Sequence, residues 1–82
     1  MDSLQVNQLE PNLTTQELNV LRLIGKGLTN AQISQAICTS DTTISYHCTN
    51  IFRKLGVKNR IQAITTSLLL GILTFSELHS AQ

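Results

Sequence analysis

The pattern of apolar and polar residues along the chain has the period of short amphipathic helices. The clearest pattern lies before Gly56, where apolar residues recur at intervals of three and four positions. This spacing predicts one continuous stripe along an α-helix, made of Ile44, Cys48, Ile51, Phe52 and Leu55. Gly56 is expected to end the helix, because glycine readily adopts the left-handed backbone found at helix C-termini. The third helix of the chain is therefore predicted over about 41–55.

Each predicted helix begins at a residue that can cap its N-terminus. Thr14 and Thr29 are followed three positions later by Glu or Gln. This spacing is that of a capping box, in which each of the two side chains accepts a hydrogen bond from the backbone amide of the other residue. A leucine precedes each threonine, and an apolar residue at the N4 position completes a hydrophobic staple. Ser40 and Asn59 are expected to cap the third and fourth helices. The glycines around Gly25 should end the first helix.

The same patterns predict an all-α fold, a compact four-helix domain of the helix-turn-helix kind. The second helix is expected over about 30–37, and the fourth from Asn59 to Gly71. The inward residues are expected to be Ile33, Ala36 and Ile37 in the second helix and some of Ile61, Ala63, Ile64 and Leu68 in the fourth. No alternating strand pattern is present. We expect residues 1–12 to form a flexible arm, 13–75 the domain, and 76–82 a tail.

Composition changes this picture mainly through the distribution of charge. Eighty-two residues suffice for one domain with a small core. The formal net charge of +1 argues against a nucleic-acid binder when it is taken for the whole chain. When the charges are counted by region, however, residues 18–76 carry a net charge of +5, and residues 1–17 and 77–82 together carry −4. Between Thr42 and Ser76 there are four Lys or Arg residues and no carboxylate, which is typical of a surface that faces a polyanion.

Several classes of protein are excluded by the residues present. Cys38 and Cys48 form neither a disulfide framework nor a C-x-x-C pair, and with His47 and His79 they offer no plausible zinc spacing. We therefore expect no metal, no cofactor and no small-molecule site. No pair of residues is spaced for nucleophilic or acid–base catalysis, so the protein should not be an enzyme. A signal peptide and a membrane span are also absent from the sequence, which predicts a cytoplasmic location.

The outward face of the third helix is the strongest functional signal. Opposite its apolar stripe it presents side chains that can all form hydrogen bonds and that include no acid, namely Thr42, Thr43, Ser45, Tyr46, Thr49, Asn50 and Arg53. A second helix of a helix-turn-helix needs such a face to reach base edges in the major groove. Cys48 is interpreted as a core residue, whereas Cys38 in the turn is expected to be exposed, with a redox-sensing thiol as the alternative.

At this point the residues closely resemble the LuxR-type helix-turn-helix domain. The resemblance covers residues 13–73 and depends on many residue types at fixed spacing, in three segments: Leu13-Thr14-x-x-Glu17-Leu18-x-Val20-Leu21, Gly27-Leu28-Thr29-Asn30-x-x-Ile33, and Ser40-x-x-Thr43-Ile44-x-x-His47-x-x-Asn50-Ile51-x-x-Lys54-Leu55-Gly56-Val57-x-Asn59-Arg60-x-x-Ala63. It implies a transcription regulator that binds double-stranded DNA as a dimer. In that family the third helix enters the major groove and the fourth pairs with its mate.

The resemblance also implies roles for particular residues. Base contact is expected from Ser45, Tyr46, Thr49 and Asn50. Phosphate contact is expected from Thr29, Thr42, Thr43, Arg53, Lys58 and Arg60. Many family members have Lys or Arg at the positions of Ser45 and Thr49, and a branched apolar residue at that of Thr39. With fewer cations, fewer counterions are displaced, so weaker and less salt-sensitive binding is expected.

The C-terminal apolar stretch suggests an interaction surface. Residues 68–75 hold more apolar side chains than one helix face can bury, and exposed apolar patches mark interaction sites. A dimer or partner surface is expected at Thr65, Leu69, Ile72 and Leu73, with a buried tail as the alternative. A free-standing, homodimeric transcription regulator is the favoured function. The alternative is an antagonist that pairs through the fourth helix with a larger LuxR-type regulator or another transcription protein and binds DNA weakly or not at all.

Overall fold

The computed structural model describes residues 12–79, and over this range the chain forms helices and no strands. The helices are α1 (Thr15–Gly25), α2 (Asn30–Ala36), α3 (Asp41–Leu55), α4 (Arg60–Leu69) and α5 (Phe75–His79). The first four correspond to the four predicted helices, so the all-α fold is confirmed. The predicted arm lies outside the described residues except for Asn12, and residues 80–82 of the predicted tail do as well, whereas residues 76–79 of that tail belong to the short helix α5.

The predicted caps form at all four longer helices. Thr14 Oγ1 accepts a hydrogen bond from Glu17 N (3.0 Å), and Glu17 Oε1 accepts one from Thr14 N (3.0 Å). Thr29 and Gln32 repeat this reciprocal arrangement at α2. Ser40 Oγ accepts from the third amide of α3, and Asn59 Oδ1 does the same at α4. Local sequence therefore determines where each of these helices begins.

The hydrophobic core surrounds the inner face of α3. Ile44 and Ile51 are fully buried and Cys48 is nearly so, as the apolar stripe predicts. Helices α1, α2 and α4 and the segment after α4 contribute the rest of the core, which consists of Val20, Leu21, Ile24, Ile33, Ala63 and Leu73. Since α1, α2 and α4 all contact α3, α3 is the central helix against which these three helices pack.

Ala36, predicted to point inward, is exposed, and so is Ile61, one of four residues of α4 of which only some were expected to be buried. Ile61 is 76% exposed, because Ala63 and Ser67 are the buried residues of α4 and a position two residues before Ala63 lies about 200° around the helix. Ala36 is exposed for the same reason, since α2 buries Ile33 and Ser34. In both helices the buried face is narrower than the run of apolar residues.

Leu73 was expected on a partner surface, and that prediction is wrong, because its side chain is only 1% exposed. The chain turns back after α4 through Gly71, whose φ of 77° is in the left-handed region. The amides of Ile72 and Leu73 then both donate to Ser67 O (2.8 and 3.1 Å). This turn brings Leu73 beneath α4 and into the core.

A partly buried ion pair connects α1 to the end of α3. Lys54 Nζ lies 2.7 Å from Glu17 Oε1 and also donates to Asn12 O (3.0 Å). The Glu17 side chain is 5% exposed and that of Lys54 is 23% exposed. Burial raises the pKa of Glu17, but hydrogen bonds from Lys54 and Thr14 and the Lys54 charge outweigh burial, so the pKa lies below its usual value. Both residues therefore have a structural role.

Helix α5 is an element that the sequence patterns did not predict. Thr74 and Glu77 form a further reciprocal cap at its start, and Glu77 Oε2 accepts from Arg22 Nε of α1 (3.1 Å). Leu78 packs against the core next to Gly25. The absence of a side chain at Gly25 therefore makes room for α5.

Glu17→Gln is expected to lower the free energy of unfolding near neutral pH by about 1–3 kcal/mol. This range lies between the losses expected when an exposed ion pair and a fully buried ion pair are broken. Folding lowers the pKa of Glu17, so its contribution is fully present above the pKa of the unfolded carboxyl and is lost as pH falls through the lower folded pKa. Urea unfolding at about pH 7 and about pH 3 should show the difference from wild type shrinking in acid. An equal difference at both pH values would contradict this account.

Gly25→Ala is expected to destabilise the protein by about 1–2 kcal/mol through overpacking. The added Cβ would lie 2.5 Å from Leu78 Cδ2 and 3.2 Å from Leu73 Cδ1. In a Leu78→Ala background the same change should become neutral or stabilising, since alanine favours helix by about 1 kcal/mol over glycine. Denaturant unfolding of the four proteins as a double-mutant cycle measures this coupling. Equal costs in both backgrounds would rule out the proposed contact.

Candidate nucleic-acid interface

Helices α2 and α3 form a helix-turn-helix whose turn, residues 37–40, contains no glycine. Cys38 adopts the left-handed conformation that the turn requires, with φ at 58°, a region that residues other than glycine seldom occupy. Thr39 N donates to Ser34 O (2.9 Å) and closes the turn. The Cys38 side chain is exposed, as expected.

A polar contact across the turn connects the two helices. The Ser34 hydroxyl of α2 lies within hydrogen-bond distance of Ala31 O and of Asp41 Oδ1 at the start of α3. Ser34 is 4% exposed. The sequence patterns do not predict this contact between Ser34 and Asp41. It holds the N-terminal end of α3 against α2.

The face of α3 opposite the core is open to solvent. Ser45, Tyr46 and Thr49, the residues expected to contact bases, are all exposed, and the Tyr46 side chain is 65% exposed. Thr42 and Arg53 are exposed as well. Because the stripe on the other side of the helix is locked into the core, this face is presented on a rigid element.

The polar side chains of this face keep hydrogen-bonding capacity for a ligand. The Thr49 hydroxyl donates to Ser45 O one turn earlier (3.0 Å) and retains its acceptor lone pairs. Half-buried Asn50 accepts from Arg53 Nη2 through its side-chain oxygen (3.1 Å), which leaves the amide donors of Asn50 and further donors of Arg53. The face can therefore both donate and accept, as base-edge readout requires.

His47 borders this face without a clear binding role. Its Nδ1 atom is buried and has no hydrogen-bond partner among the described residues. The imidazole packs against the Tyr46 ring, with centroids 5.8 Å apart and planes tilted by 56°. This contact supports the Tyr46 ring from one side.

The residues expected to contact phosphate differ in their surroundings. Thr29 is exposed, and its hydroxyl oxygen accepts the capping hydrogen bond of α2. Thr43 Oγ1 accepts from Ser40 Oγ (2.9 Å), so the Thr43 hydroxyl proton can be donated elsewhere. Lys58 is exposed, and its ammonium has no ion pair with the residues from 12 to 79. Each of these groups could reach a phosphate oxygen.

Arg60 occupies a different environment from the other candidate phosphate contacts. Its guanidinium donates to Asn30 Oδ1 (2.9 Å) and to Leu28 O, and both hydrogen bonds are partly buried. The side chain therefore joins α4 to the start of α2. The sequence motif contains Asn30 and Arg60, but their separation of 30 residues provides no local signal for the contact.

Two of the four residues expected on an interaction surface are exposed on α4. Leu69 is 82% exposed and Thr65 is exposed, and they lie one turn apart on the same side of the helix as Ile61. Ile72 is half-buried, and Leu73 belongs to the core. Three positions at intervals of four therefore form an outward stripe, which we call the α4 stripe: Ile61, Thr65 and Leu69.

Other kinds of site receive no support from the described residues. No three His, Cys, Asp or Glu side chains among them could hold a metal ion together. Burial raises the pKa of the Cys48 thiol, and the Arg60 charge offsets only part of this effect, so the group stays protonated and unreactive. Within residues 12–79 there is no helix with the length and hydrophobicity of a bilayer span.

Comparison with known proteins gives a family match over most of this structure. Residues 11–67 match the family model described as bacterial regulatory proteins, luxR family. The chain is 33% identical over 73 residues to the transcriptional activator protein AnoR of Acinetobacter nosocomialis, covering 89% of this chain and 31% of AnoR. It is 36% identical over 75 residues to the transcriptional regulatory protein LnrK of Bacillus subtilis, covering 85% of this chain and 34% of LnrK.

The matched relatives are longer than this chain. The transcriptional activator protein SolR of Ralstonia solanacearum is 34% identical over 77 residues, which are 89% of this chain and 33% of SolR. The chain thus spans about a third of the length of these curated relatives. No solved structure matches the chain significantly.

Proposed function

The chain belongs to the luxR family of bacterial regulatory proteins and has its DNA-binding helix-turn-helix domain, and from this premise we propose that it regulates transcription as a sequence-specific homodimer on DNA. Helix α3 would enter the major groove, with two α3 helices in successive grooves reading symmetric half-sites. The observation that carries the proposal is the exposed, hydrogen-bonding face of α3, on which the single carboxylate is Asp41 in the first turn. Such a protein would act in the cytoplasm.

Base contacts are assigned to Ser45, Tyr46, Thr49 and Asn50. Hydroxyl and amide groups at the first three turns of α3 suit bases with both donors and acceptors. The exposed Tyr46 ring, supported by His47, suits apolar contact with a thymine methyl group. Neither Ser45 nor Thr49 supplies a cation, so discrimination here depends on hydrogen bonds and shape.

Phosphate contacts are assigned to Thr29, Thr42, Thr43, Arg53 and Lys58. Of these, Arg53 and Lys58 carry charge. If each neutralises one phosphate in both protomers, the logarithm of the binding constant should fall with the logarithm of salt concentration with a slope of about −3 to −4. That slope is shallow for a specific DNA-binding protein, so the affinity of one domain would be modest and dimerisation would matter.

The α4 stripe supports the dimer. Ile61 is 76% exposed and Leu69 is 82% exposed, which is costly for an isolated domain in water. A two-fold axis beside α4 would pair each stripe with its copy and fix the separation of the two α3 helices. The same stripe could instead pair with a larger LuxR-type regulator or another transcription protein. The absence of Lys or Arg at positions 45 and 49 favours this second function, an antagonist that binds DNA weakly or not at all.

Measuring DNA binding as a function of salt concentration distinguishes these functions. The DNA sites are first selected from random duplexes and are then tested as promoter fragments. Wild type should show saturable binding with a preferred symmetric site. Lys58→Met should weaken binding to every sequence and make the salt slope shallower by about one per protomer. Thr49→Val, which replaces the hydroxyl with a methyl group of similar size, should cost about 1–3 kcal/mol at one base pair of each half-site and leave the salt slope unchanged. No saturable, sequence-preferring binding by wild type at low salt would refute the proposed function.

Leu69→Glu should prevent dimerisation without unfolding the domain, since the side chain is 82% exposed. Binding to a symmetric site is expected to fall to the level of a single half-site. Helix content should stay unchanged, and the unfolding midpoint should equal that of wild type at concentrations where wild type is monomeric. Leu70→Glu is the matched control, because it adds the same charge one residue away from the α4 stripe. Sedimentation with and without DNA measures the assembly state. A dimeric Leu69→Glu protein with full affinity would show that the α4 stripe is not the interface.

A further inference from the structure

Three helices of the domain meet at one side-chain oxygen, Asn30 Oδ1. Asn30 is the first residue of α2. Its oxygen accepts from Arg60 Nη1 at the start of α4 (2.9 Å) and lies 3.8 Å from the Cys48 sulfur of α3. A long hydrogen bond from a thiol is weak, whereas one from a guanidinium is charge-assisted and strong. Arg60 is therefore the principal partner of Asn30.

The guanidinium makes a second contact at the same place. It donates to the carbonyl oxygen of Leu28, two residues before α2 begins. One planar group thus holds both the chain that enters α2 and its first residue, a two-point contact that fixes orientation as well as distance. A lysine at this position would keep the charge but could not reproduce the fork.

This contact lies between the two parts of the proposed DNA-binding dimer. The face that reads DNA is on α3, which α2 supports through Ser34 and Asp41, whereas the α4 stripe would face the partner. The backbone between α3 and α4 is short and passes through left-handed Gly56. Arg60 adds a lateral polar connection from α4 to α2. It therefore constrains the angle between α4 and the helix-turn-helix, which the short loop alone would leave adjustable.

We propose that Arg60 is a positioning residue for DNA recognition, which sets the angle between α4 and the helix-turn-helix and thereby the separation of the two α3 helices in the dimer. The inference builds on the proposed function. It replaces the expectation that Arg60 neutralises a phosphate, because the guanidinium already has two protein acceptors in a partly buried position.

The test compares Arg60→Lys, Arg60→Met and Lys58→Met on duplexes with two half-sites whose separation is varied one base pair at a time. At the separation that wild type prefers, both Arg60 variants should lose about tenfold in affinity, and their preference for that separation should flatten. The salt slope of Arg60→Lys should equal that of wild type. Lys58→Met should show the opposite pattern, with a shallower salt slope and the wild-type separation preference.

Two outcomes on DNA would overturn the proposal. If Arg60→Lys binds like wild type while Arg60→Met has a shallower salt slope, Arg60 contacts phosphate. If both variants lose affinity equally at every separation, in proportion to a fall in unfolding free energy measured by urea, Arg60 only stabilises the fold.

A readout without DNA separates this inference from the proposed function. In a Cys38→Ser background, the alkylation rate of buried Cys48 reports how often the contact between α2, α3 and α4 opens. Arg60→Lys should raise that rate several-fold relative to Lys58→Met, with global stability measured in parallel. An unchanged rate would overturn the inference even if wild type binds DNA. Failure of wild type to bind any duplex would instead refute the proposed function.

Discussion

The burial of one stripe of α3 is the constraint on which the rest of the structure depends. Ile44, Cys48 and Ile51 anchor the helix in the core, and α1, α2 and α4 are all arranged around it. Because every residue on the stripe is committed to packing, the opposite face can consist entirely of polar side chains without loss of the fold. Packing thus determines both the stability of the domain and the orientation of the polar face of α3.

The start of each longer helix could be predicted from sequence because capping is a local interaction. Thr14 with Glu17 and Thr29 with Gln32 each satisfy backbone amides within four residues, so no knowledge of the fold is needed. The periodicity of α3 likewise determined which of its sides is buried. The exposed residues of the candidate interface followed from that periodicity, and the LuxR-type resemblance added their roles.

The contacts that could not be predicted join residues far apart in sequence. Arg60 and Leu28 are separated by 32 residues, and Arg22 and Glu77 by 55. Nothing in the local pattern distinguishes such pairs from solvated charges. Leu73 was misplaced for a related reason, since its burial depends on how the chain turns back after Gly71. Helix α5 is too short for hydrophobic periodicity to reveal it, and its stability derives from packing beside Gly25.

The allocation of charge explains why a chain with net charge +1 is still suited to DNA. Arg22 and Lys54 pair with carboxylates, and Arg60 holds backbone and amide oxygens, so three of the six cations serve the fold. Of the other three, Lys26 lies at the C-terminal end of α1, and Arg53 and Lys58 lie at or just beyond the C-terminal end of α3, whose last turn is basic. With so few cations facing outward, the proposed specificity would depend on the rigid placement of hydroxyl and amide groups more than on bulk attraction. The DNA affinity of a domain of this kind would increase most through a second copy held at a fixed separation, because two modest half-site interactions then combine into one tighter binding event.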